Sequence, residues 1–171
     1  MTPVAWVLNL EADLELRRPG YQPSPAVTRR VAEMRSRILG LVRPDDVVLV
    51  EASERAPDRV GLAWCPTPQA LKRLRRAGAE VGWAPSLQIL RRVKHRRFCA
   101  ELGQCLPGAG YCTTRAEVDE RLRSRDSPTG RWLLKRPFSF SGSARRRVTL
   151  GQGPPLDDDL VRWVEASLRE D

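Results

Sequence analysis

The residues best suited to hold phosphate in this chain are two lysines and a serine-glycine loop. Only three of its thirty cationic side chains are lysines, and two of them, Lys94 and Lys135, stand at an expected helix start and strand end. Lysine offers a compact ammonium on a flexible stem, whereas arginine offers a planar fork, so an arginine-rich chain that keeps lysine at these points suggests sites where a point charge fits. Lys135 leaves the apolar run "WLLK" directly before "RPFSFSGSARRRV". In that segment Gly142 permits close backbone approach, Ser139, Ser141 and Ser143 supply hydroxyls and amides, and Arg145 to Arg147 add charge, so the loop is expected to fold over phosphates. The alternatives are a solvated strand-end cation for Lys135 and a solvated basic helix face, "RRVKHRR", for Lys94.

These residues need elements to carry them. Residues 4–10 read as a buried strand, "SPAVTRRVAEMRSRILGLV" as a helix with Val27, Val31, Met34, Ile38 and Leu41 on one face, and "DDVVLVE" and "VGLAWC" as two further strands. A helix follows, capped by Thr67, entered through Pro68 and stopped at Gly78, and a strand at Glu80 to Trp83. Alternating strand and helix predicts a small parallel-sheet α/β domain over residues 1–86, with "APS" as its boundary. Over residues 87–171 the pattern changes to a helical stretch "LQILRRVKHRRFCAELG", within which Lys94 is expected to open a helix, a turn "LPGAG" and a short strand "YCTT". A helix opened by Thr114, strand "RWLLKRP", the loop, strand "RRRVTL" and a helix behind Asp157 to Asp159 complete it. The three aspartates are expected to cap that helix and complement its dipole rather than hold metal. The five tryptophans are expected to pack in the core.

In the order lysine, helix, "LPG", strand, helix, "WLLK", small-residue loop and basic strand, the chain resembles the ATP-grasp superfamily. The resemblance implies a pre-ATP-grasp-like α/β domain followed by a partial α+β subdomain, the N-terminal half of the nucleotide-binding unit. It further implies that Lys94 and Lys135 contact ATP phosphates and that Ser139, Ser141, Gly142, Ser143 and Ala144 form the covering loop. The family chemistry would be a carbon–nitrogen or thioester-forming ligase reaction through an acyl phosphate, with a small-molecule carboxylate and a nucleophile as further partners. Magnesium ligands would belong to a C-terminal half outside these 171 residues. This chain is therefore expected to be inactive alone, as a fragment or as a degenerate, non-catalytic module.

Charge supplies a competing expectation. A formal charge of +9 and a pI near 10.4 imply attraction to polyanions, and arginine clusters at 73–76, 91–97 and 145–147 suit an arginine-rich nucleic-acid-binding protein. Neither a recognition motif nor aromatic interleaving accompanies those clusters. The first residues lack a basic segment followed by an apolar run, and no stretch approaches the ~20 apolar residues of a membrane span, so no membrane association is expected. Cys65, Cys99, Cys105 and Cys112, with 33, 5 and 6 residues between them, match no metal spacing and read as reduced thiols of a cytoplasmic protein. His95 reads as a surface histidine. Asn9, Glu11 and Asp13, at the end of the first strand, read as a local turn network ahead of a ligand site.

Overall fold

The computed structural model describes residues 2–103, 105–106, 108–124, 127, 129–140, 144–149 and 157–170. It is a mixed α/β structure that divides into two compact units, Met1–Arg91 and Arg92–Asp171. Helix α4 (Leu87–Lys94) runs through that division, which therefore falls after residue 86.

The first unit is built on a three-stranded parallel sheet in the order β2-β1-β3, with β1 at Val4–Val7, β2 at Val47–Val48 and β3 at Val60–Ala63. Both faces of β1 are covered. Ala5 and Val7 join Leu49, Ala56, Ala70, Leu74, Ala77 and Ala79 in one core cluster, while Val4 and Leu8 are buried on the other face. Beside it run α1 (Ala12–Arg17), α2 (Pro25–Ile38) and α3 (Pro68–Arg76). Thr67 caps α3 by accepting from the Ala70 N–H. Its C-terminus closes as a Schellman motif: Gly78 takes φ +84, its N–H reaches the Arg75 carbonyl, and the Ala79 N–H reaches Leu74. That closure lies against β3, where Gly61 leaves only 3.2 Å between a built Cβ and the side chains of Ala79 and Leu74.

Several elements are shorter than the sequence pattern suggests. The first strand ends at Val7, and the expected strand at Glu80 to Trp83 is a single parallel bridge from Glu80 to Val60. Trp83, expected in the core, is 88% exposed, and Trp64 is exposed as well. Helix α2 passes into a 3-10 turn, Leu39–Leu41, and Val31 is its buried residue.

The second unit packs helices on a two-stranded antiparallel hairpin. Strands β4 (Arg131–Lys135) and β5 (Arg145–Thr149) pair with Trp132 opposite Val148 and Lys135 opposite Arg145. Val118 and Leu122 of α6 (Arg115–Arg123), Val148, and Val164 of α7 (Asp158–Leu168) form its core, with Cys112, Trp132, Leu134 and Trp163 against them. Thr114 and Glu117 form a full capping box on α6, and Asp157 caps α7 by accepting from Leu160 at 2.7 Å. The aspartate run is thus helix-starting, as its position suggested.

Two expectations fail here for identifiable reasons. "YCTT" forms no strand: Tyr111 packs on His95 with ring centroids 5.5 Å apart and Cys112 packs against the α6/α7 core, so the segment is fixed by side chains. The helix expected to open at Lys94, within the helical stretch 87–103, instead starts after His95. That residue takes φ −71, ψ 135, and its Nδ1 accepts from the Arg97 N–H to cap a new helix, α5 (Arg96–Glu101). Lys94 therefore closes α4, one residue ahead of the cap that starts α5.

Candidate phosphate-binding face of the hairpin

Side chains alternate across a strand, so the pairing register sorts the hairpin into two faces. Trp132, Leu134, Arg146 and Val148 face inward. Arg146 lies with its guanidinium carbon 5.7 Å from the Trp163 ring and 3.8 Å from an Asp159 oxygen. The outward pairs are Arg131 with Thr149, Leu133 with Arg147, and Lys135 with Arg145, all exposed. Four cations thus surround Leu133, and none of the four makes an ion pair among the described residues. Lys135 and Arg145 stand directly across from each other, the arrangement in which like charges destabilise a sheet.

Beyond Lys135 the chain turns its charge inward. Arg136 pairs with Glu170 at 2.7 Å, lies 5.3 Å from the Trp163 ring, and donates its backbone N–H to the Ala144 carbonyl at 3.1 Å. That bond closes the loop, and Ala144 reaches it at φ +52, in the left-handed region that L residues rarely enter. Pro137, Phe138 and Phe140 are buried, and Ser139 between them is half-exposed. Residues 137–140 are therefore anchored. Ser141, Gly142 and Ser143 lie outside the described residues.

The anchor is Arg96, a residue sequence reasoning passed over. Its Nε donates to the Arg136 carbonyl at 2.9 Å, its Nη2 to Ser139 Oγ at 2.6 Å, and its backbone N–H to the Pro137 carbonyl at 3.4 Å. Lys94 is two residues before Arg96 and Lys135 two residues before Pro137, so this backbone bond ties together the segments that hold the two lysines. Lys94 itself is exposed. His95, half-buried rather than on the surface, meets Phe138 edge-on at 5.0 Å, while the Arg97 guanidinium lies 5.2 Å from the Tyr111 ring.

Other polar clusters serve the fold. Asn9, buried at the end of β1, donates to the Cys65 carbonyl at 2.7 Å and to Thr67 at 3.3 Å, and accepts from the Cys65 N–H at 3.0 Å. Glu15 accepts from Thr67 at 2.6 Å and from the Gln69 N–H at 3.2 Å. Asn9 thus bonds 56 to 58 positions along the chain rather than within the local turn network expected of Asn9, Glu11 and Asp13. A cleft of about 340 Å3 opens beside α6, lined by Tyr111, Cys112, Glu117, Glu120, Arg121 and Ser124. Glu117 there is held below its ordinary pKa by the Thr113 N–H and hydroxyl, and burial pushes the Cys112 thiol up. Among the described residues no three His, Cys, Asp or Glu side chains come together as a metal site, and no helix is long and apolar enough to cross a membrane.

No protein-family model, curated protein or solved structure matches the chain.

Proposed function

We propose that the second unit binds the phosphates of a nucleotide, ATP above all, at the loop end of the β4–β5 hairpin, in the manner of the first half of an ATP-grasp unit. One observation carries this reading: Lys135 and Arg145 face each other on the exposed side of the hairpin, with Arg131 and Arg147 beside them and no carboxylate paired to any of the four among the described residues. A phosphate chain between the opposed cations removes their repulsion and forms charge-assisted hydrogen bonds with both. Lys94, tied to the same turn through Arg96 and Pro137, supplies a further cation, and Ser139 and Ala144 border the site.

The finer form of this proposal is the nucleotide-binding portion of a carboxylate-activating ligase. In it, these residues orient the phosphates and neutralise their charge while an acyl phosphate forms. The roles proposed for this chain are direct contacts with phosphate oxygens.

The same cationic face also suits the backbone of a nucleic acid, and salt separates the two readings. Nucleic-acid affinity falls with a log–log slope of about −0.9 for each duplex phosphate neutralised, and the loss on mutation is spread over many arginines. A nucleotide site depends on few residues. A thermal shift of the full chain with magnesium-ATP tests it: at 100 times its dissociation constant the ligand stabilises the fold by about 2.7 kcal/mol. Lys135→Ala is expected to abolish that shift, and an unchanged shift removes Lys135 from the site.

A further inference from the structure

A serine hydroxyl carries one proton to donate and two lone pairs to accept with. In Ser139 one of those lone pairs is taken by the Arg96 guanidinium at 2.6 Å. A donor already occupies that side of the oxygen, so the hydroxyl proton is turned away from Arg96 and toward an acceptor. Pro137, Phe138 and Phe140 are buried, which leaves Ser139 as the half-exposed side chain of this stretch. The guanidinium is itself fixed by its bond to the Arg136 carbonyl at 2.9 Å, in the residue that follows Lys135.

We infer that Ser139, gripped by Arg96, is a phosphate-oxygen donor, and that Arg96 is a positioning residue acting through it. The inference rests on the phosphate-binding reading of the hairpin. Arg96 does two things to the serine: it fixes the hydroxyl rotor before ligand arrives, and it polarises the O–H bond by donating a charged hydrogen bond to its oxygen. The positive charge of Arg96 thereby reaches the anion through a neutral hydroxyl, without the guanidinium leaving the turn. The chemistry recognised is a tetrahedral oxyanion, the terminal or bridging phosphate of an oligophosphate chain whose other oxygens meet Lys135 and Arg145.

The test measures dissociation constants of the full chain for magnesium-ATP and for inorganic tripolyphosphate, with melting temperature recorded for every variant. Ser139→Ala is expected to weaken both probes by about 10- to 100-fold, the range for a hydrogen bond to a charged group, with little change in melting temperature. Ser139→Thr keeps the hydroxyl and restores binding. Arg96→Gln is expected to weaken binding by a similar factor, and the double variant by no more than the worse single one, because both changes remove the same donor. Independent, multiplying losses overturn the relay, as does binding by Ser139→Ala within twofold of the parent. Should Arg96→Gln fail to fold, the alanine and threonine variants at Ser139 decide alone. Lys135→Ala separates this inference from the reading beneath it. Loss with Lys135→Ala but not with Ser139→Ala overturns the serine donor and keeps the site. Loss with the Ser139 and Arg96 variants but not with Lys135→Ala keeps the donor and overturns the lysine's role. No binding of either probe by the parent overturns both.

Discussion

The first unit and the hairpin of the second use charge in opposite ways. In the first, Asp46 is 3% exposed and accepts from the Val4 N–H at 2.9 Å, the Trp6 indole at 3.2 Å and the Arg43 guanidinium, and Glu54 accepts from the Val50 and Glu51 N–H groups. Its carboxylates serve the backbone of strand ends and turns. In the second, the hairpin turns Arg136 and Arg146 inward onto Glu170, Asp159 and Trp163, and leaves Arg131, Lys135, Arg145 and Arg147 outward. Both units are rich in arginine, so richness alone distinguishes neither. What marks the hairpin is like charge facing like charge on an exposed surface, where an anion changes the balance most.

The largest effect comes from closing that difference. Arg145→Glu places a carboxylate opposite Lys135 and converts a repulsive cross-strand pair into an attractive one. Hairpin stability in urea is expected to rise by about 0.2–1 kcal/mol. Magnesium-ATP affinity is expected to fall at least about 100-fold, since a charged contact is lost and a repelling one gained. A variant that gains stability and keeps its affinity would mean that the outward cations are surface charge and nothing more.

Acid should act on the first unit through Asp46. The Arg43 guanidinium, with the Val4 and Trp6 donors, holds Asp46 at about 2, against an ordinary 3.8. Its folded pKa lies below its unfolded one, so its contribution is fully present above about pH 4 and is lost as pH falls toward 2. Asp46→Asn is expected to flatten the acid limb of stability in that window, measured by urea melts from pH 5 to 2. An unaltered limb would place the acid sensitivity elsewhere, with Glu117 of the second unit, also lowered, the first residue to examine.

Arg73 is the point where the first unit least resembles this description. Its Nη2 lies 4.0 Å from Glu54, and its Nε and Nη2 are buried with no hydrogen-bond acceptor among the described residues. Burial, then the neighbouring Arg35, lowers its pKa. An incompletely paired, largely desolvated charge contributes little net stability, so Arg73→Met, which keeps the apolar stem, is expected within about 1 kcal/mol of the parent or above it. A loss beyond about 2 kcal/mol would show that the Arg73–Glu54 pair is worth more than its 4.0 Å separation suggests.

Legibility in the sequence followed the range of the interaction. Thr67, Thr114 and Asp157 cap the helices they precede, Gly78 ends α3, and the parity of "RWLLK" and "RRRV" sorts the hairpin faces, because each depends on neighbours a few residues away. Position alone put Arg131 with Lys135, but the register was needed to bring Arg145 across from Lys135. The break at His95 was hidden, since a histidine is not among the usual capping residues and "RRVKHRR" contains no glycine or proline. Its cause is packing against Phe138 and Tyr111, far along the chain. Arg96 was equally hidden: nothing distinguishes it from its neighbours except bonds to residues 40 and 43 positions away. Glu80 reads as a strand start by composition, yet it makes a single bridge.

The smallest expected effect concerns backbone strain at the end of the loop. Ala144 sits at φ +52 and accepts from the Arg136 N–H, so the hairpin's final backbone bond requires a conformation that is unfavourable for an L residue by about 1–2 kcal/mol. Ala144→Gly removes that cost but raises the entropy of the unfolded chain by an equivalent of about 0.4–1 kcal/mol. The two terms oppose each other, and the net expectation is a gain of about 0.5 kcal/mol in urea unfolding. Loss of stability instead would mean that the unfolded-state term wins and that Ala144 is not held left-handed. The charge contrast between the hairpin and the first unit would then owe nothing to backbone strain at the end of the loop.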